Sequence, residues 1–291
     1  MNIMKFKKVY FAISLLFLIP GIFFLLRFGL KPSIDFTGGS LLEIKGEGLT
    51  DNREKISEKV GDTYEISLVQ SSGENQIIIR GKTISNETKD EVVTKLSEEY
   101  GEIEEKRFET VGPTLGKELL MKTIAAIVIV SVLITIYVWR QFSKIRFGIS
   151  AILAMFHDSL ILLGVFSVLG HFYHVEVDVL FVTALLTTLS FSVHDTIVVF
   201  DRIRELRKKN HKLSLEGVVN MAVLETLSRS INNSITIILM LLALVLIGGE
   251  SIKWFSVALL IGAVTGTYSS TFTAAPLLLL WEEISKKRNK R

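Results

Sequence analysis

The sequence predicts a polytopic α-helical membrane protein with six transmembrane helices and one α+β domain inserted between the first two helices. Apolar residues make up 49% of the 291 residues, and they occur in blocks of roughly 18 to 25, the length that crosses about 30 Å of hydrocarbon. One long polar stretch, 31–120, separates the first block from the others. We predict transmembrane spans at 9–27, 121–139, 147–169, 178–200, 228–248 and 254–280.

The first apolar block, Val9 to Leu26, is predicted to be a permanent membrane anchor. Secretory signal peptides have apolar regions of only about 7–15 residues and end in a small-residue cleavage site. No such site precedes Lys31. We therefore expect residues 1–30 to form a cytoplasmic N-terminus and transmembrane helix 1.

Lysine and arginine in the short loops predict the orientation of the chain. They cluster at the N-terminus, before the third span, after the fourth span and at the end of the chain, whereas the short loops of the opposite side contain only Lys253. Loops rich in Lys and Arg stay in the cytoplasm. We expect both termini to be cytoplasmic, with transmembrane helices 2–6 in 121–280, a cytoplasmic loop at 201–222 and a basic tail at 281–291. We attribute the basic excess to topology and not to nucleic-acid binding.

The polar segment 31–120 is extracytoplasmic in this orientation, and its pattern predicts a separate small domain. Ser85 or Asn86 caps a helix that has an apolar stripe and ends at Gly101, and β-rich runs precede and follow it. The order βαββαβ matches the ferredoxin-like split motif. The predicted strands are 41–46, 64–70, 75–81 and 102–111, and the predicted helices are 52–61 and 86–100.

This domain lacks the usual residue patterns of enzymes. It contains no nucleophile–base pair, no histidine and no glycine-rich phosphate loop, so we expect a binding or mechanical module. Two glycine motifs frame it, Asp35-Phe36-Thr37-Gly38-Gly39 and Val111-Gly112-Pro113-Thr114-Leu115-Gly116. By their spacing alone they predict no more than turns.

The fourth span contains His194 and Asp195 inside the apolar run Val179 to Phe200. A charge in hydrocarbon costs from about 2.5 to more than 10 kcal/mol, so we predict a functional role for Asp195. The polar residues of this span fall on two neighbouring helical stripes, which must face other helices or water. For the hydroxyl side chains, hydrogen-bonded helix packing remains an alternative. One stripe is Thr183, Thr187, Ser190 and His194, and the other is Thr188, Ser192 and Asp195.

The fifth span supplies a candidate partner for Asp195. Its purely apolar stretch, Ile235 to Ile247, is too short to cross the membrane, so the helix must begin earlier and include Arg229. Asn232, Asn233 and Thr236 share a helical face with Arg229. We predict that Arg229 pairs with Asp195 or approaches it. The alternative is an interfacial arginine that extends back to the cytoplasm.

A second pair, His157-Asp158, lies in the third span and raises the possibility of an intramembrane metal site. The HExxH spacing is absent and no further ligand lies at a familiar interval, so we predict no metal. The chain has no cysteine, which excludes disulfides, and no cofactor is expected. In the sixth span, Gly262, Gly266 and Ser270 form a small-residue face for close helix contact.

Several of these residues together resemble the SecD/SecF family. The resemblance rests on the glycine motif with Asp35, Gly38 and Gly39, on Val111-Gly112-Pro113, and on Gly266-Thr267-Tyr268-Ser269-Ser270 followed by Ala275-Pro276. Its most specific part is the segment 192–205, which contains Asp195, Asp201 and Arg202. The chain departs from the common pattern at His194, where the family frequently has Asn.

The resemblance implies a membrane subunit of bacterial protein export, located in the cytoplasmic membrane and without enzymatic activity. It implies a SecD partner, which the end of the chain at Arg291 predicts to be a separate polypeptide. The pair would assist the SecYEG channel after the motor SecA has inserted the preprotein, and the external domain would contact that preprotein. The resemblance further implies a proton path through Asp195 and Arg229. Their predicted supporting residues are His194, His157, Asp158 and Asn233.

Two other functions remain open at this stage. A small-molecule exporter of the resistance-nodulation-division type would usually have about twice as many spans. A purely structural subunit of the translocon would use Asp195 and Arg229 only as a buried ion pair.

Overall fold

The structure is a computed structural model that describes residues 2–73, 75–142 and 144–288. Met1 and the last three residues of the predicted basic tail lie outside these ranges. The chain divides into two compact units. The membrane unit combines Met1–Lys31 with Ala126–Arg291, and the external unit is Pro32–Ala125.

The elements follow one another in the predicted order. The helices are α1 (Lys7–Phe28), α2 (Ile34–Thr37), α3 (Arg53–Val60), α4 (Asn86–Tyr100), α5 (Pro113–Gln141), α6 (Ile145–Tyr173), α7 (Val179–Lys209), α8 (Leu215–Ile247), α9 (Glu250–Ser269) and α10 (Ala275–Arg288). A 3₁₀ turn, Ile3–Phe6, precedes α1, and a π-helix, Ser270–Ala274, joins α9 to α10. The strands are β1 (Gly39–Lys45), β2 (Ile66–Gly73), β3 (Gln76–Gly81) and β4 (Glu104–Val111).

Six helices in the described part of the chain are long and apolar enough to cross a membrane, which confirms the predicted multi-pass membrane protein. They are Ile3–Phe28, Pro113–Gln141, Ile145–Tyr173, Val179–Lys209, Leu215–Ile247 and Ser251–Ser285. The third and fourth are central, since 56% and 50% of their most apolar windows are buried, whereas none of that window in the second span is buried.

Several helices extend further than the sequence analysis predicted. The second span begins at Pro113 instead of 121, and proline suits the first turn of a helix because its missing N–H is not needed there. The predicted loop 201–222 is mostly helical, because α7 continues to Lys209 and α8 begins at Leu215. Ser214 caps α8 by accepting a hydrogen bond from the Gly217 N–H. At the end of α7, Lys209 pairs with Glu205 at 2.8 Å, one turn earlier.

Glycines allow the membrane helices to pack closely. A Cβ atom on Gly164 of α6 would lie 2.5 Å from the Gly21 Cα of α1, and one on Gly262 of α9 would overlap Thr188 of α7. A Cβ on Gly266 would lie 2.9 Å from the Phe191 ring. The predicted small-residue face of the sixth span is therefore confirmed, and it faces α7.

The external unit contains a four-stranded antiparallel sheet in the order β2-β3-β1-β4, with two main helices. Alternate residues of β3, Ile77 and Ile79, are fully buried, and Val92 and Leu96 of α4 belong to the same core. The element order is βαββαβ, with strand and helix boundaries close to the predicted ones. The short helix α2 was not predicted. Its cap, Ser33, accepts a hydrogen bond from the Asp35 N–H at 3.2 Å.

The two glycine motifs lie against each other in the external unit, which explains their composition. Gly38 has φ +73°, and a Cβ there would lie 2.7 Å from the Pro113 Cα. Gly39 has φ +120° and pairs with Val111 across β1 and β4. A Cβ on Gly116 would lie 2.8 Å from the Gly38 nitrogen. At Gly38 and Gly39 a side chain is excluded both by the backbone conformation and by the lack of space, and at Gly116 by the lack of space.

Candidate functional site

Asp195 lies near the middle of α7 with only 7% of its surface exposed. Its Oδ2 accepts two hydrogen bonds, from the Ser230 Oγ of α8 at 2.6 Å and from the Ser270 Oγ of the π-helix at 2.6 Å. Hydrogen bonds to a charged group contribute about 1.5–3 kcal/mol each. The carboxylate therefore joins three separate helical segments through one oxygen atom.

A second carboxylate, Asp158 of α6, is fully buried. Its Oδ2 accepts a hydrogen bond from the Ser269 Oγ at 2.5 Å, and its Oδ1 lies 2.9 Å from the His157 Nδ1. The other ring nitrogen of His157, Nε2, is buried and has no hydrogen-bond partner in the described part of the chain. His157 and Asp158, predicted as supporting residues, thus form a contacting pair inside the bundle.

Two consecutive serines connect these carboxylates to one segment. Ser269 ends α9 and binds Asp158, whereas Ser270 begins the π-helix and binds Asp195. Consecutive residues of a helix point about 100° apart, so the two hydroxyl groups reach carboxylates on two different helices. Short π-helical segments occur frequently at functional sites. We name Asp158, Asp195, Ser269 and Ser270 the carboxylate–serine cluster.

The predicted contact between Arg229 and Asp195 is absent from the structure. Arg229 is exposed, and it forms no ion pair with any carboxylate in the described ranges. The reason is helical phase: Thr226, Ser230 and Ser234 form a buried stripe on α8. Arg229, Asn232, Asn233 and Thr236 lie on exposed positions outside that stripe.

Of the two predicted polar stripes of the fourth span, one is buried and the other is exposed. Thr188, Ser192 and Asp195 are buried, whereas Thr183, Thr187, Ser190 and His194 are exposed. We name the exposed polar residues of the two helices the outward polar residues: Thr183, Thr187, Ser190 and His194 of α7, and Arg229, Asn232, Asn233 and Thr236 of α8. The hydroxyls of Thr183, Thr187 and Thr236 donate to backbone carbonyls four residues earlier. Hydrocarbon cannot satisfy the side chains of His194, Arg229, Asn232 and Asn233, so these four positions require water or a second polypeptide.

Three serines that contact the carboxylates were not predicted as site residues. They are Ser230, Ser269 and Ser270. The last two belong to a motif that carries the family resemblance, and Ser270 also belongs to the predicted small-residue face. For Ser230 a signal existed, because Thr226, Ser230 and Ser234 recur at intervals of four residues on one helical face. The adjacent Arg229 was predicted instead, because it carries a charge, shares a helical face with Asn232 and Asn233, and is implied by the family resemblance. No comparable pattern indicated the π-helix.

Asp201 and Arg202 lie beyond the carboxylate–serine cluster, near the end of α7. The Arg202 Nε donates to Glu225 of α8 at 2.6 Å, and its Nη1 donates to Glu205 at 2.5 Å. Asp201 accepts from the Arg204 Nη1 at 2.9 Å. Arg202 therefore links α7 to α8, while Asp35, Gly38 and Gly39 belong to the external unit.

The cluster pairs buried carboxylates with serine hydroxyls. Across residues 2–73, 75–142 and 144–288, no group of three or more His, Asp or Glu side chains is placed to hold a metal ion. Serine hydroxyls can rotate, so each can donate to an ionised carboxylate or accept from a protonated one. The same oxygen atoms can therefore be hydrogen-bonded in both charge states.

Comparison with known proteins supports a single family. The family model described as "Protein export membrane protein SecD/SecF, C-terminal" matches residues 91–284, and the "SecD/SecF GG Motif" model matches residues 23–47. The protein translocase subunit SecF of Thermobaculum terrenum is 42% identical over 97% of this chain and 94% of its own length. The SecDF of Bacillus subtilis is 34% identical over 97% of this chain and 38% of its own.

A solved structure gives the same result. The crystal structure of SecDF from Thermus thermophilus, described as a translocon-associated membrane protein, has a TM-score of 0.86 and 31% identity. The match covers 97% of this chain and 39% of that one, so this chain spans about two fifths of the SecDF proteins it matches. Since the matches include both the glycine motif and the span that carries Asp195, the chain belongs to the SecD/SecF family of protein export membrane proteins.

Proposed function

We propose that the chain acts as a SecF-type subunit of the bacterial protein translocase, together with a SecD partner. Its relatives are named protein translocase subunits, which favours protein export over the export of small molecules. The clustered basic residues support a location in the cytoplasmic membrane with both termini in the cytoplasm. The SecYEG channel, the motor SecA and the preprotein are further proposed partners, and the subunit performs no bond chemistry of its own.

One observation carries the coupling mechanism: the buried Asp195 accepts hydrogen bonds from serines of two other segments. We propose that Asp195 exchanges a proton driven by the proton motive force. A hydrogen bond to an ionised group contributes about 1.5–3 kcal/mol, and one to a neutral group about 0.5–1.5 kcal/mol. Protonation therefore weakens the attachment of α8 and of the π-helix to α7, and these segments move.

Asp158 supplies a second attachment for the same segment. It is fully buried and holds Ser269, which directly precedes the serine that binds Asp195. Movement of the π-helix away from Asp195 thus pulls on a second hydrogen-bonded carboxylate. We propose that the His157–Asp158 pair returns the π-helix to its original position after the proton leaves Asp195.

The outward polar residues support the SecD partner. The SecDF relatives are more than twice as long as this chain, which spans about two fifths of them. We propose that SecD covers the exposed stripes of α7 and α8, and that Arg229, His194 and Asn233 face water or SecD at that interface. In this proposal Arg229 controls proton access to Asp195 from the interface and does not form a permanent ion pair with it.

For the external unit we propose a ferredoxin-like fold that acts as a binding or mechanical module. Support comes from the element order βαββαβ and from the antiparallel strand order β2-β3-β1-β4. In the proposed mechanism, movements of the membrane unit are transmitted to this domain, which holds the emerging preprotein and prevents it from sliding back.

The testing experiment uses inverted membrane vesicles that contain this chain with SecD and SecYEG. A preprotein is first threaded by SecA, and completion of its transport is then measured with and without a proton gradient. The variant is Asp195→Asn, which keeps the size of the side chain and removes the titration. The control is Glu216→Gln, which neutralises an exposed carboxylate of the same unit.

We expect the gradient to accelerate completion in the wild type and in Glu216→Gln but not in Asp195→Asn, with SecD co-purifying in all three. Equal acceleration in all three proteins would contradict the coupling role and favour a structural subunit. Loss of SecD from the Asp195→Asn complex would show that the carboxylate maintains assembly and not transport.

A further inference from the structure

A basic cavity in the membrane unit is not part of the mechanism described above. It lies where α6 begins and α7 ends, on the side predicted to face the cytoplasm, and its volume is about 250 Å³. The lining comprises Phe142, Lys144, Arg146, Phe147, Ile203, Arg204, Arg207, Lys208, Leu215, Leu278 and Glu282.

The positive charges of this cavity are largely uncompensated. Lys144, Arg146, Arg207 and Lys208 form no ion pair with a carboxylate in the described part of the chain, although other basic residues of α7 do. Arg204 is the exception, since it pairs with Asp201 at 2.9 Å. Five basic side chains thus line the cavity beside one carboxylate, Glu282, and this excess of positive charge favours an anionic ligand.

The inner wall of the cavity is apolar and rigid. Phe142, Phe147 and Phe200 pack together with ring centroids 5.2 to 5.9 Å apart, and the first two also line the cavity. Ile203 and Leu278 are buried beside them. A ligand that fits this wall and the cations together is amphiphilic, with one anionic end.

We propose that this cavity binds the phosphodiester headgroup of an anionic phospholipid from the cytoplasmic leaflet. Arg146, Arg207 and Lys208 contact the phosphate, and the upper part of an acyl chain lies against Phe147 and Leu278. Basic pockets between transmembrane helices on the cytoplasmic side are suited to such headgroups. Because α6, α7 and α10 all line the cavity, the lipid fixes their spacing at this end of the bundle.

Native mass spectrometry of the full chain in detergent, with phosphatidylglycerol added, tests the proposal. The double variant Arg146→Gln/Lys208→Gln removes two lining cations. The control Lys209→Gln/Lys212→Gln removes the same charge from exposed positions outside the lining. Each basic residue near the lipid contributes about 1 kcal/mol, which corresponds to about fivefold in affinity. Loss of two such residues therefore lowers the affinity of the lining variant for the first bound lipid roughly thirtyfold. It changes little in the control.

Three further measurements distinguish a phospholipid headgroup from a free phosphate ion. Phosphatidylcholine shows no such difference between variants, and inorganic phosphate or glycerol phosphate at the same concentration does not displace the bound phosphatidylglycerol. An equal loss of lipid in the two double variants overturns the proposal, since it indicates a diffuse surface charge. Displacement by soluble phosphate also overturns it, since the cavity then binds the free anion. A thermal-unfolding measurement on both variants confirms that each is folded.

Discussion

The external and membrane units surround their buried carboxylates differently. In the external unit charges pair at the surface, as Lys89 does with Glu105 at 2.7 Å, and the buried Glu43 of β1 accepts a hydrogen bond from the Gln76 side chain of β3. In the membrane unit many large apolar side chains of α1 and α5 are exposed, whereas Asp158 and Asp195 are buried among serines. The buried carboxylate of the external unit thus lies within one sheet, while each buried carboxylate of the membrane unit connects separate helical segments.

The sharpest test of this contrast removes a carboxylate from each unit. Asp158→Ala leaves Ser269 and His157 without their partner, at a cost of about 1–3 kcal/mol for each buried polar group. Glu105→Ala leaves the Lys89 ammonium paired with Asp90 at 2.9 Å and has a far smaller effect. Thermal unfolding of the purified full chain in detergent measures both. Equal shifts in the midpoint would show that burial of Asp158 has no energetic consequence.

The second largest effect is expected for Gly38→Ala in the external unit. A non-glycine residue at φ +73° costs roughly 1–2 kcal/mol, and the new methyl group would also displace Pro113. Hydrogen exchange of β1 in the full chain should become faster. Gly101→Ala is a matched control, since Gly101 also has positive φ, at +78°, but nothing lies within 4 Å of its Cβ position. If both variants had equal effects, the loss of stability would come from backbone strain alone and not from the clash with Pro113.

Single serine variants compare the two carboxylates of the membrane unit with each other. Ser270→Ala removes a donor from Asp195, and Ser269→Ala removes one from Asp158, each worth about 1.5–3 kcal/mol for a charged acceptor. If the proposed roles are correct, Ser270→Ala reduces the gradient-dependent rate severalfold. Ser269→Ala reduces thermal stability with a smaller change in that rate. The vesicle assay measures the gradient-dependent rate of each variant, and thermal unfolding measures its stability. If both variants changed the two quantities equally, the proposed difference between Asp195 and Asp158 would be contradicted.

The smallest expected effect concerns Tyr64 of the external unit. Burial raises the pKa of its hydroxyl above 10.0, and the hydroxyl donates to the Ser40 carbonyl at 2.7 Å. Because the folded pKa is above the unfolded one, this stabilisation is complete below about pH 10 and is lost as the pH rises through the folded pKa. An absorbance titration of the wild type minus Tyr64→Phe should show one tyrosine that ionises later than the others. A difference curve centred at pH 10 would show that the pKa of Tyr64 is not raised.

Periodicity predicted the spans and the order of strands and helices because apolar residues repeat with the geometry of each element. It also predicted which polar residues share a helical face, such as Thr188, Ser192 and Asp195. It did not predict which of two neighbouring polar faces points inward, since that depends on the packing of other helices. Arg229 was therefore predicted to contact Asp195, whereas in the structure Ser230 makes this contact. The π-helix that places Ser269 and Ser270 is likewise set by tertiary packing.

The ion pair between Arg202 and Glu225 connects α7 to α8. At about 1.5 Å per residue, the 31 residues of α7 extend roughly 46 Å, well beyond the hydrocarbon thickness of about 30 Å. Arg202 fastens this projecting end to Glu225 of α8. Under the proposed mechanism, a movement that begins at Asp195 would therefore displace the projecting ends of both helices together.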